Sequence, residues 1–391
     1  MYVLGINISH DPSTCLVKDG EVLFYIENDR ILRKKNSLFE YPINEYSVTG
    51  KIPSFLPSVN CIKKYTNQID YVIFSSFLRT EKKAELIIIR SILNKLEESG
   101  IKFKTSIFTE KEHHLYHAAS GFYNSGFDDA VALIMDGGGA YDPTDERNEG
   151  LNEPFREIET IYDCSYQGIN KVFGHKQSTD FKGTPIIDNK DIYTSTMGCG
   201  GLFNLLPSSF GLESGYDAGK VMGLSGHHLG SNIEHQNRYI QSRIKHASVF
   251  TSDWFYEVSP GVFSTISNFC DKIDDYKENE INDISLTFKN NSFYLCAALA
   301  NKLQEETYKH TVRLIKKSLK LTKKKNIILS GGYFLNCVNN YKYLKEFPNV
   351  NFYIDPIAHD GGTAIGAAQY IWYKLSKSKE KHQLKNLYIG P

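Results

Sequence analysis

The sequence predicts an α/β protein, in which short buried strands alternate with helices. One observation is that strands run into turns of small residues and then into helices at four places, near Ser9, Asp136, Gly331 and Asp360. A second is that each half of the chain opens with a strand or hairpin followed by an Asp-Gly or Gly-Gly turn, which hints at an ancient duplication. Folds of this class bind ligands at the carboxyl ends of their strands, so the site is expected at those turns.

In the first half, alternating apolar residues and tight turns predict strands, whereas apolar residues three and four apart predict helices. The predicted strands are Tyr2–Ile8, Thr14–Val17, Glu21–Ile26, Tyr71–Ser75, Ser106–Phe108 and Ala130–Met135. The predicted helices are Lys82–Ser99, which closes on Gly100, and Glu110–Tyr123, which carries a group of histidines.

The second half is patterned more loosely. Its predicted strands are Ile158–Tyr162, Lys171–Phe173, Asn326–Leu329 and Phe352–Ile354, and its predicted helices are Cys199–Phe210, Gly219–Leu224, Leu295–Leu321 and Gly362–Leu375. Segments 140–195 and 226–290 are expected to be insertions. The resulting division is a first subdomain at 1–135 and a second at 136–391.

Composition narrows the class of protein. The 45 basic and 45 acidic residues of this 391-residue chain cancel, so no global field favours nucleic acid or a membrane surface. Seven scattered cysteines without a C-x-x-C pair suit reduced thiols, and the start MYVLGINIS shows no signal-peptide pattern. The longest apolar run is too short to cross a bilayer. We therefore expect a cytoplasmic protein.

The stretch GINISHDPST places His10 and Asp11 just after the first strand, in a turn of small hydroxyl residues. Backbone amides in such a turn can hold a phosphate or an oxyanion. His10 is a candidate donor to a developing oxyanion, and Asp11 can orient a nucleophile or a metal-bound water. A plain Asp-Pro β-turn is the simpler alternative.

The stretch HHLYHAAS carries three histidines on a predicted helix. His113 and His117 are four residues apart and share a face, where two imidazoles can hold one cation. His114 points about a quarter turn away and is expected either to support the ligands from behind or to be structural. Asp360 is the candidate for a third ligand, which would leave positions open for a substrate oxygen. The alternatives are a histidine-rich surface turn and a helix-capping role for Asp360.

Two glycine-rich turns, MDGGGA and LSGGYFLN, follow buried strands, and glycine allows a backbone to approach a phosphate closely. In the second, Asn336 is expected one turn into the following helix.

GYDAGKVMGL offers Asp217 as a general base and Lys220 as a phosphate ligand or a solvated charge. ENDRILRKKN gathers four basic residues, among them Lys35, for anion capture or as a solvated basic turn.

Together these motifs resemble the N-terminal domain of the O-carbamoyltransferases of the nodulation-factor and tobramycin type. The motifs that carry the resemblance are, in order, GINISHDPSTCLV, ENDRILRKKN, HHLYHAASGFYNSGFDDAVALIMDGGG, SSFGLESGYDAGKVMGL, LSGGYFLNCVNN and DGGTAIGAA. That domain is similar to the catalytic subunit of the tRNA threonylcarbamoyladenosine machinery. The resemblance implies a duplicated actin/hexokinase/Hsp70-like (ASKHA) core, with two subdomains around a central nucleotide cleft.

The resemblance also implies roles for individual residues. The implied metal ligands are His113, His117 and Asp360, with iron the commonest metal of the family and zinc or manganese as alternatives. The implied catalytic residues are His10, Asp11, Lys35 and Asp217. The implied nucleotide-binding residues are Asp136, Gly137, Gly138, Gly331, Gly332 and Asn336. Ala218 stands where the family has a second acid.

The implied reaction moves a carbamoyl group from carbamoyladenylate, made from carbamoyl phosphate and ATP, to a hydroxyl of a small molecule, sugar or nucleoside. Family members continue past a Y-x-G-P element into a YrdC-like domain that makes carbamoyladenylate, whereas this sequence ends at YIGP. The expectation is that this domain is absent. A separate YrdC-like partner, a different donor or a truncated chain would each account for it, and a homodimer is left open.

Two other functions are kept as alternatives. The first is a subunit of a tRNA threonylcarbamoyl transferase, which the neutral charge disfavours and which salt-dependent tRNA binding would support. The second is a non-catalytic nucleotide-binding relative, which the retained histidine and aspartate motifs disfavour.

Overall fold

The computed structural model describes residues 1–33, 55–76, 82–109, 111–210, 212–213, 215–229, 291–384 and 386. These residues form two β-sheets with helices between and outside them. Within this part of the chain the helices are Asn28–Leu32, Leu56–Tyr65, Lys82–Glu98, His113–Ser125, Cys199–Ser209, Ala218–Leu224, Asn291–Thr322, Cys337–Glu346 and Thr363–Ser376. None of the helices described combines the length and apolarity that a bilayer crossing requires.

The first sheet has five strands in the order β3-β2-β1-β4-β5. They are β1 (Tyr2–Asn7), β2 (Ser13–Lys18), β3 (Glu21–Glu27), β4 (Gln68–Ser75) and β5 (Lys102–Phe108). The pairs β1-β2 and β2-β3 are antiparallel, and the pairs β1-β4 and β4-β5 are parallel. The sheet therefore joins an N-terminal meander to a parallel half.

The second sheet has seven strands in the order β12-β11-β6-β7-β8-β10-β9. They are β6 (Asp129–Met135), β7 (Arg156–Ser165), β8 (Gly168–Gln177), β9 (Ile186–Asp188), β10 (Asp191–Thr194), β11 (Asn326–Ser330) and β12 (Asn351–Ile354). Its run β8-β7-β6-β11-β12 repeats the order and the strand directions of the first sheet. This internal repeat confirms the duplicated α/β core predicted from the sequence.

The core between the sheets is filled by two helices. We call His113–Ser125 the histidine helix and Thr363–Ser376 the C-terminal helix. Residues of both pack with side chains from both sheets in one buried cluster. Strand β6 alternates, with Ala130, Ala132 and Ile134 in this cluster and its other apolar residues in a second cluster on the outer face. The two helices thus bring both sheets to one central region.

Close approach of these helices depends on the small residues of the GTAIGAA stretch, residues 362–368. A Cβ on Gly366 would lie 1.8 Å from the carbonyl oxygen of Tyr116, and a Cβ on Gly5 would lie 2.0 Å from that of Ala364. Because real Cβ atoms do not approach so closely, only glycine allows the C-terminal helix to contact both the histidine helix and β1.

Two predicted boundaries differ from the structure. Strand β6, placed in the first subdomain by the 135/136 division, lies in the second sheet, while the C-terminal helix packs against the first. Segment 140–195 contributes β7 to β10 to the second sheet and is therefore not an insertion. Both differences arise because sheet partners are chosen by tertiary packing. Most of segment 226–290 lies outside the described residues.

Candidate functional site

Two imidazoles meet at the start of the histidine helix. His113 and His117 are completely buried, and their Nε2 atoms lie 3.2 Å apart. Their spacing of four residues brings them to one face of the helix, as predicted. The helix ends at Gly126, whose positive φ of 77° forms a left-handed C-cap. The pair is therefore held by a capped helix that lies between the two sheets.

Two carboxylates complete this group. Asp136 follows β6, and Asp360 begins the short turn before the C-terminal helix. Nε2 of His113 lies 3.2 Å from Oδ2 of Asp136 and 3.4 Å from Oδ1 of Asp360. The corresponding distances from Nε2 of His117 are 4.0 and 3.7 Å. One donor atom from each residue lies within 4.8 Å of the other three, and we call these four residues the central cluster.

The spacing of the central cluster suits a single metal ion. Ligands about 2.1 Å from a tetrahedral ion are about 3.4 Å apart, which matches the distances between the imidazoles and carboxylates. Two imidazoles and two carboxylates suit zinc, iron or manganese. The structure thus brings together His113, His117 and Asp360, as the sequence predicts for a metal site, and adds Asp136, for which the resemblance implies nucleotide binding.

Electrostatics also favour a cation in the central cluster. Burial opposes the charged imidazole of His113, but the carboxylates of Asp360 and Asp136 outweigh this and raise its pKa to about 10. The pKa of Asp360 falls well below its ordinary value, because the attraction of His113 and His10 exceeds the cost of burial. A proton on His113 therefore provides, in the absence of a metal, the positive charge that two buried carboxylates require.

Outer hydrogen bonds orient the ligands. Nδ1 of His117 lies 3.5 Å from Oγ of Ser330, which donates to Oδ2 of Asp355 at 3.0 Å. Ser9 donates to Oδ2 of Asp360 at 2.9 Å. Nδ1 of His114 instead lies 2.7 Å from the hydroxyl of Thr160, in agreement with its expected structural role. Such partners fix ring orientation and ligand basicity in metal sites.

A partly exposed pair lies beside the central cluster. His10 keeps 49% of its side-chain surface exposed, and its Nδ1 lies 3.5 Å from Oδ2 of Asp360. Its Nε2 lies 3.4 Å from Oδ2 of Asp11. The predicted His10-Asp11 turn is therefore in contact with the cluster while still reaching solvent, as a group that meets a substrate requires.

Two residues beside the His10-Asp11 pair, His359 and Glu27, were not predicted from the sequence. His359 lies 3.4 Å from Asp11 through Nδ1 and 3.2 Å from Glu27 through Nε2. The hydrogen bond from His359 lowers the pKa of Glu27 to about 2. Burial opposes the charge on His359, but Asp11 and Glu27 raise its pKa to about 10. The available signals were the position of His359 next to Asp360 and that of Glu27 at the end of β3.

The two glycine-rich turns meet at Asp136. The backbone N–H of Gly332 donates to Oδ1 of Asp136 at 3.1 Å. Gly331 has a φ of 99°, and a Cβ there would lie 2.3 Å from the carbonyl oxygen of Met135. In contrast, a Cβ on Gly138 would meet no described atom within 4 Å. The turn after β6 therefore has room beside the central cluster.

Three predicted residues do not join this group. Asn336 caps the helix Cys337–Glu346, and both ends of its buried amide are bonded to Gln304. This corrects the expectation that Asn336 lies one turn into the helix. Asp217 begins the helix Ala218–Leu224, where its carboxylate lies 2.7 Å from Lys220. Lys35 lies outside the described residues.

Comparison with known families identifies one that covers most of the chain. A family model described as carbamoyltransferase N-terminus matches residues 62–369, which is more than half of the chain. The chain belongs to this carbamoyltransferase family. The match extends from the helix before β4 into the C-terminal helix, so it includes all four residues of the central cluster.

The curated proteins that match the chain are distant and longer. Nodulation protein NolNO of Sinorhizobium fredii (strain NBRC 101917 / NGR234) is 24% identical over 397 residues, which cover 98% of this chain and 49% of NolNO. Protein sll1178 of Synechocystis sp. (strain ATCC 27184 / PCC 6803 / Kazusa) is 24% identical over 428 residues, which cover 100% of this chain and 60% of sll1178. The chain thus spans about half the length of the curated relatives it matches.

A solved structure with a related outline is full-length HypF in the phosphate- and nucleotide-bound form. It has a TM-score of 0.43 and 12% identity, and the match covers 96% of this chain and 55% of HypF. Within the chain itself, the repeated strand order of the two sheets shows the duplicated fold.

Proposed function

We propose that this chain transfers a carbamoyl group from carbamoyladenylate to a hydroxyl of a small molecule, sugar or nucleoside. Family membership supports the class of group transferred. The observation that carries the proposal is the convergence of His113, His117, Asp136 and Asp360 on one point, beside two glycine-rich turns and the partly exposed His10. This combination offers a cation site, an anion-binding backbone and a proton donor at one place.

In the proposed reaction the acceptor oxygen attacks the carbamoyl carbon and forms the new C–O bond. The bond between that carbon and the phosphate oxygen breaks, and AMP leaves with the electron pair. The proton of the acceptor hydroxyl passes to a carboxylate. Asp11 is the better candidate because it lies beside His10 at the central cluster, whereas Asp217 lies against Lys220 on another helix.

The chain's own side chains have separate tasks in this proposal. The imidazole of His10 would donate to the carbamoyl oxygen as negative charge develops there. A metal held by the central cluster would supply Lewis-acid polarisation of an oxygen of the donor. His359 and Glu27 would hold the carboxylate of Asp11 in place through their contacts.

Nucleotide binding is proposed at the turn after β6. The space beside Gly138 suits the phosphate of an adenylate, whereas the backbone N–H groups of Gly331 and Gly332 already donate to Ala358 and Asp136. There is less space beside Gly137, since a Cβ there would lie 2.3 Å from the side-chain amide nitrogen of Asn204. ATP and carbamoyladenylate are the proposed ligands.

We further propose that a YrdC-like partner domain or protein makes the carbamoyladenylate. The support is that the chain corresponds to only about half of the relatives it matches. In this proposal the described residues perform the transfer step and receive the donor already activated.

The test supplies synthetic carbamoyladenylate to the purified, metal-loaded chain with a panel of hydroxylated acceptors. We expect AMP release that depends on the acceptor, and a product heavier by one carbamoyl group. His113→Ala should abolish the product, while His382→Ala, a histidine packed on Trp372, should leave it unchanged. Failure of every acceptor, together with tight salt-dependent tRNA binding, would instead favour the tRNA-modifying alternative.

A further inference from the structure

A second group of metal-ligating side chains is buried behind the second sheet. Glu159 comes from β7, Cys199 from the start of the helix Cys199–Ser209, and His310 from the helix Asn291–Thr322. One donor atom of each lies within 4.8 Å of the other two, and none of the three side chains is more than 1% exposed. We call these residues the outer cluster.

The outer cluster is separate from the central cluster. In the pairing of β6 and β7, Glu159 lies opposite Met135, whose side chain belongs to the core on the outer face of the sheet. Asp136 is the next residue along, and it points to the central cluster. Because successive side chains of a strand face opposite sides, the two clusters lie on opposite sides of the same strand end.

The contacts within the outer cluster converge on the carboxylate of Glu159. Nε2 of His310 lies 3.0 and 3.1 Å from its two oxygens. Nδ1 of His175 lies 3.2 Å from Oε2 of Glu159, and its Nε2 lies 2.8 Å from the hydroxyl of Thr194. This second imidazole and its own partner form the outer hydrogen-bonded layer that ligating carboxylates typically have.

The buried sulfur of Cys199 lies in the same group of donor atoms as the Glu159 carboxylate and the His310 imidazole. A divalent ion bound between the sulfur and the carboxylate would deprotonate the thiol and would attract both anionic groups. Zinc with one thiolate, one carboxylate and one neutral imidazole has no net formal charge, which suits a fully buried position.

We propose that Glu159, Cys199 and His310 form a second metal site, with zinc as its preferred ion. Sulfur, nitrogen and oxygen donors together are typical of zinc, and the thiolate distinguishes this site from the central cluster, which has none. The ion would link a strand of the second sheet to two helices that come from distant parts of the chain. Its binding free energy would therefore add to the stability of the second half.

The competing explanation is an ion pair between protonated His310 and Glu159, with a neutral thiol nearby. The proposed metal site and this ion pair differ in one observable property: only the metal site contains a metal–sulfur bond. Cobalt(II) reports such a bond through an intense thiolate charge-transfer band in the near ultraviolet, and zinc reports it as a sulfur neighbour at about 2.3 Å in X-ray absorption.

The experiment reconstitutes the metal-depleted chain with cobalt(II). We expect about two ions per chain and a thiolate band. Cys199→Ser should remove the band and one ion, whereas His113→Ala should remove one ion and keep the band. Cys164→Ser, a buried cysteine on the same strand as Glu159, is the matched control and should change neither result.

Absence of the band in the wild-type chain would overturn the proposal, as would a band that persists in Cys199→Ser. If Cys199→Ser does not fold, zinc-edge X-ray absorption of the wild-type chain decides instead, and a spectrum without sulfur would refute the site. A negative result here would leave the transfer reaction at the central cluster untouched, because the two clusters share no residue.

Discussion

Nε2 of His113 lies 3.4 Å from Oδ1 of Asp360, although one residue begins a helix in the first half of the chain and the other precedes the last helix. Together with His117 and Asp136 they surround a point where one metal ion would fit. This arrangement has consequences for the ligands, for the residues around them and for the helix packing that holds them in place.

Replacing Asp360 by Asn should nearly abolish metal retention. The amide keeps the size of the carboxylate but removes the charge that balances the ion. We expect metal content after dialysis, measured by elemental analysis, to fall by about tenfold or more at this site. Asp128→Asn removes an aspartate whose side chain is 86% exposed, and it should retain the wild-type content. If the Asp360→Asn variant retained its full metal content, this would contradict the assignment of Asp360 as a metal ligand.

Ser330→Ala should weaken metal binding without removing a ligand. Its hydroxyl lies between Nδ1 of His117 and the carboxylate of Asp355, so its loss frees the orientation of the ring. We expect an affinity loss of about 10- to 100-fold in competition with a chelator. The control is Ser318→Ala, another fully buried serine, which donates only to the backbone of its own helix. Equal metal affinities in the Ser330→Ala and Ser318→Ala variants would show that the contact between Ser330 and His117 does not support metal binding.

Metal binding at neutral pH should release about one proton from the central cluster. Burial opposes the protonated imidazole, but Asp360 and Asp136 raise the pKa of His113 from 6.5 to about 10 in the metal-free protein. Protonation of His113 therefore stabilises the metal-free fold fully below about pH 6.5, and this contribution is lost as the pH rises through about 10.

A metal must displace that proton, so its affinity should increase with pH across the same window. Calorimetric titration at pH 7.5 in two buffers of different ionisation enthalpy measures the release directly. An observed binding enthalpy that is the same in both buffers would show that no proton is released, and therefore that His113 is already neutral before the metal binds.

His10→Gln should separate chemistry from metal binding. The imidazole touches Asp360 but keeps half of its surface exposed, so its loss should leave metal content unchanged. If His10 donates to the developing oxyanion, the rate of carbamoyl transfer should fall by about 100-fold. His382→Gln is the control for a histidine away from the site. A variant with normal turnover would remove His10 from the proposed mechanism.

Gly366→Ala should destabilise the fold, since the new Cβ would lie 1.8 Å from the carbonyl oxygen of Tyr116 and force the two central helices apart. We expect the free energy of unfolding to fall by about 3 kcal/mol in urea titrations. Gly219→Ala is the matched control, because its Cβ would meet no described atom within 4 Å and the residue lies in a helix. That change should be neutral or stabilising, by about 0.5 kcal/mol.

The sequence determined many of the local elements, although it did not predict the helix Leu56–Tyr65 and left the bounds of the helix Cys337–Glu346 open. Strand and helix periodicity placed β1 to β6, the histidine helix and the C-terminal helix within a few residues of their observed bounds. The reason is that burial on one face imposes a repeat of two or 3.6 residues, which can be read along the chain. The same local reasoning placed His113 and His117 on one side of a helix.

Only the tertiary structure decided which distant residues meet. Asp136 belongs to the central cluster because β6 is the middle strand of the repeated run β8-β7-β6-β11-β12 and ends beside the histidine helix, and no local pattern contains that information. Glu159, Cys199 and His310 carry no shared motif and converge only because two helices cover one face of that sheet. Periodicity is a property of neighbours along the chain, whereas a binding site is made by sheet order and helix packing, which join residues that are far apart in sequence.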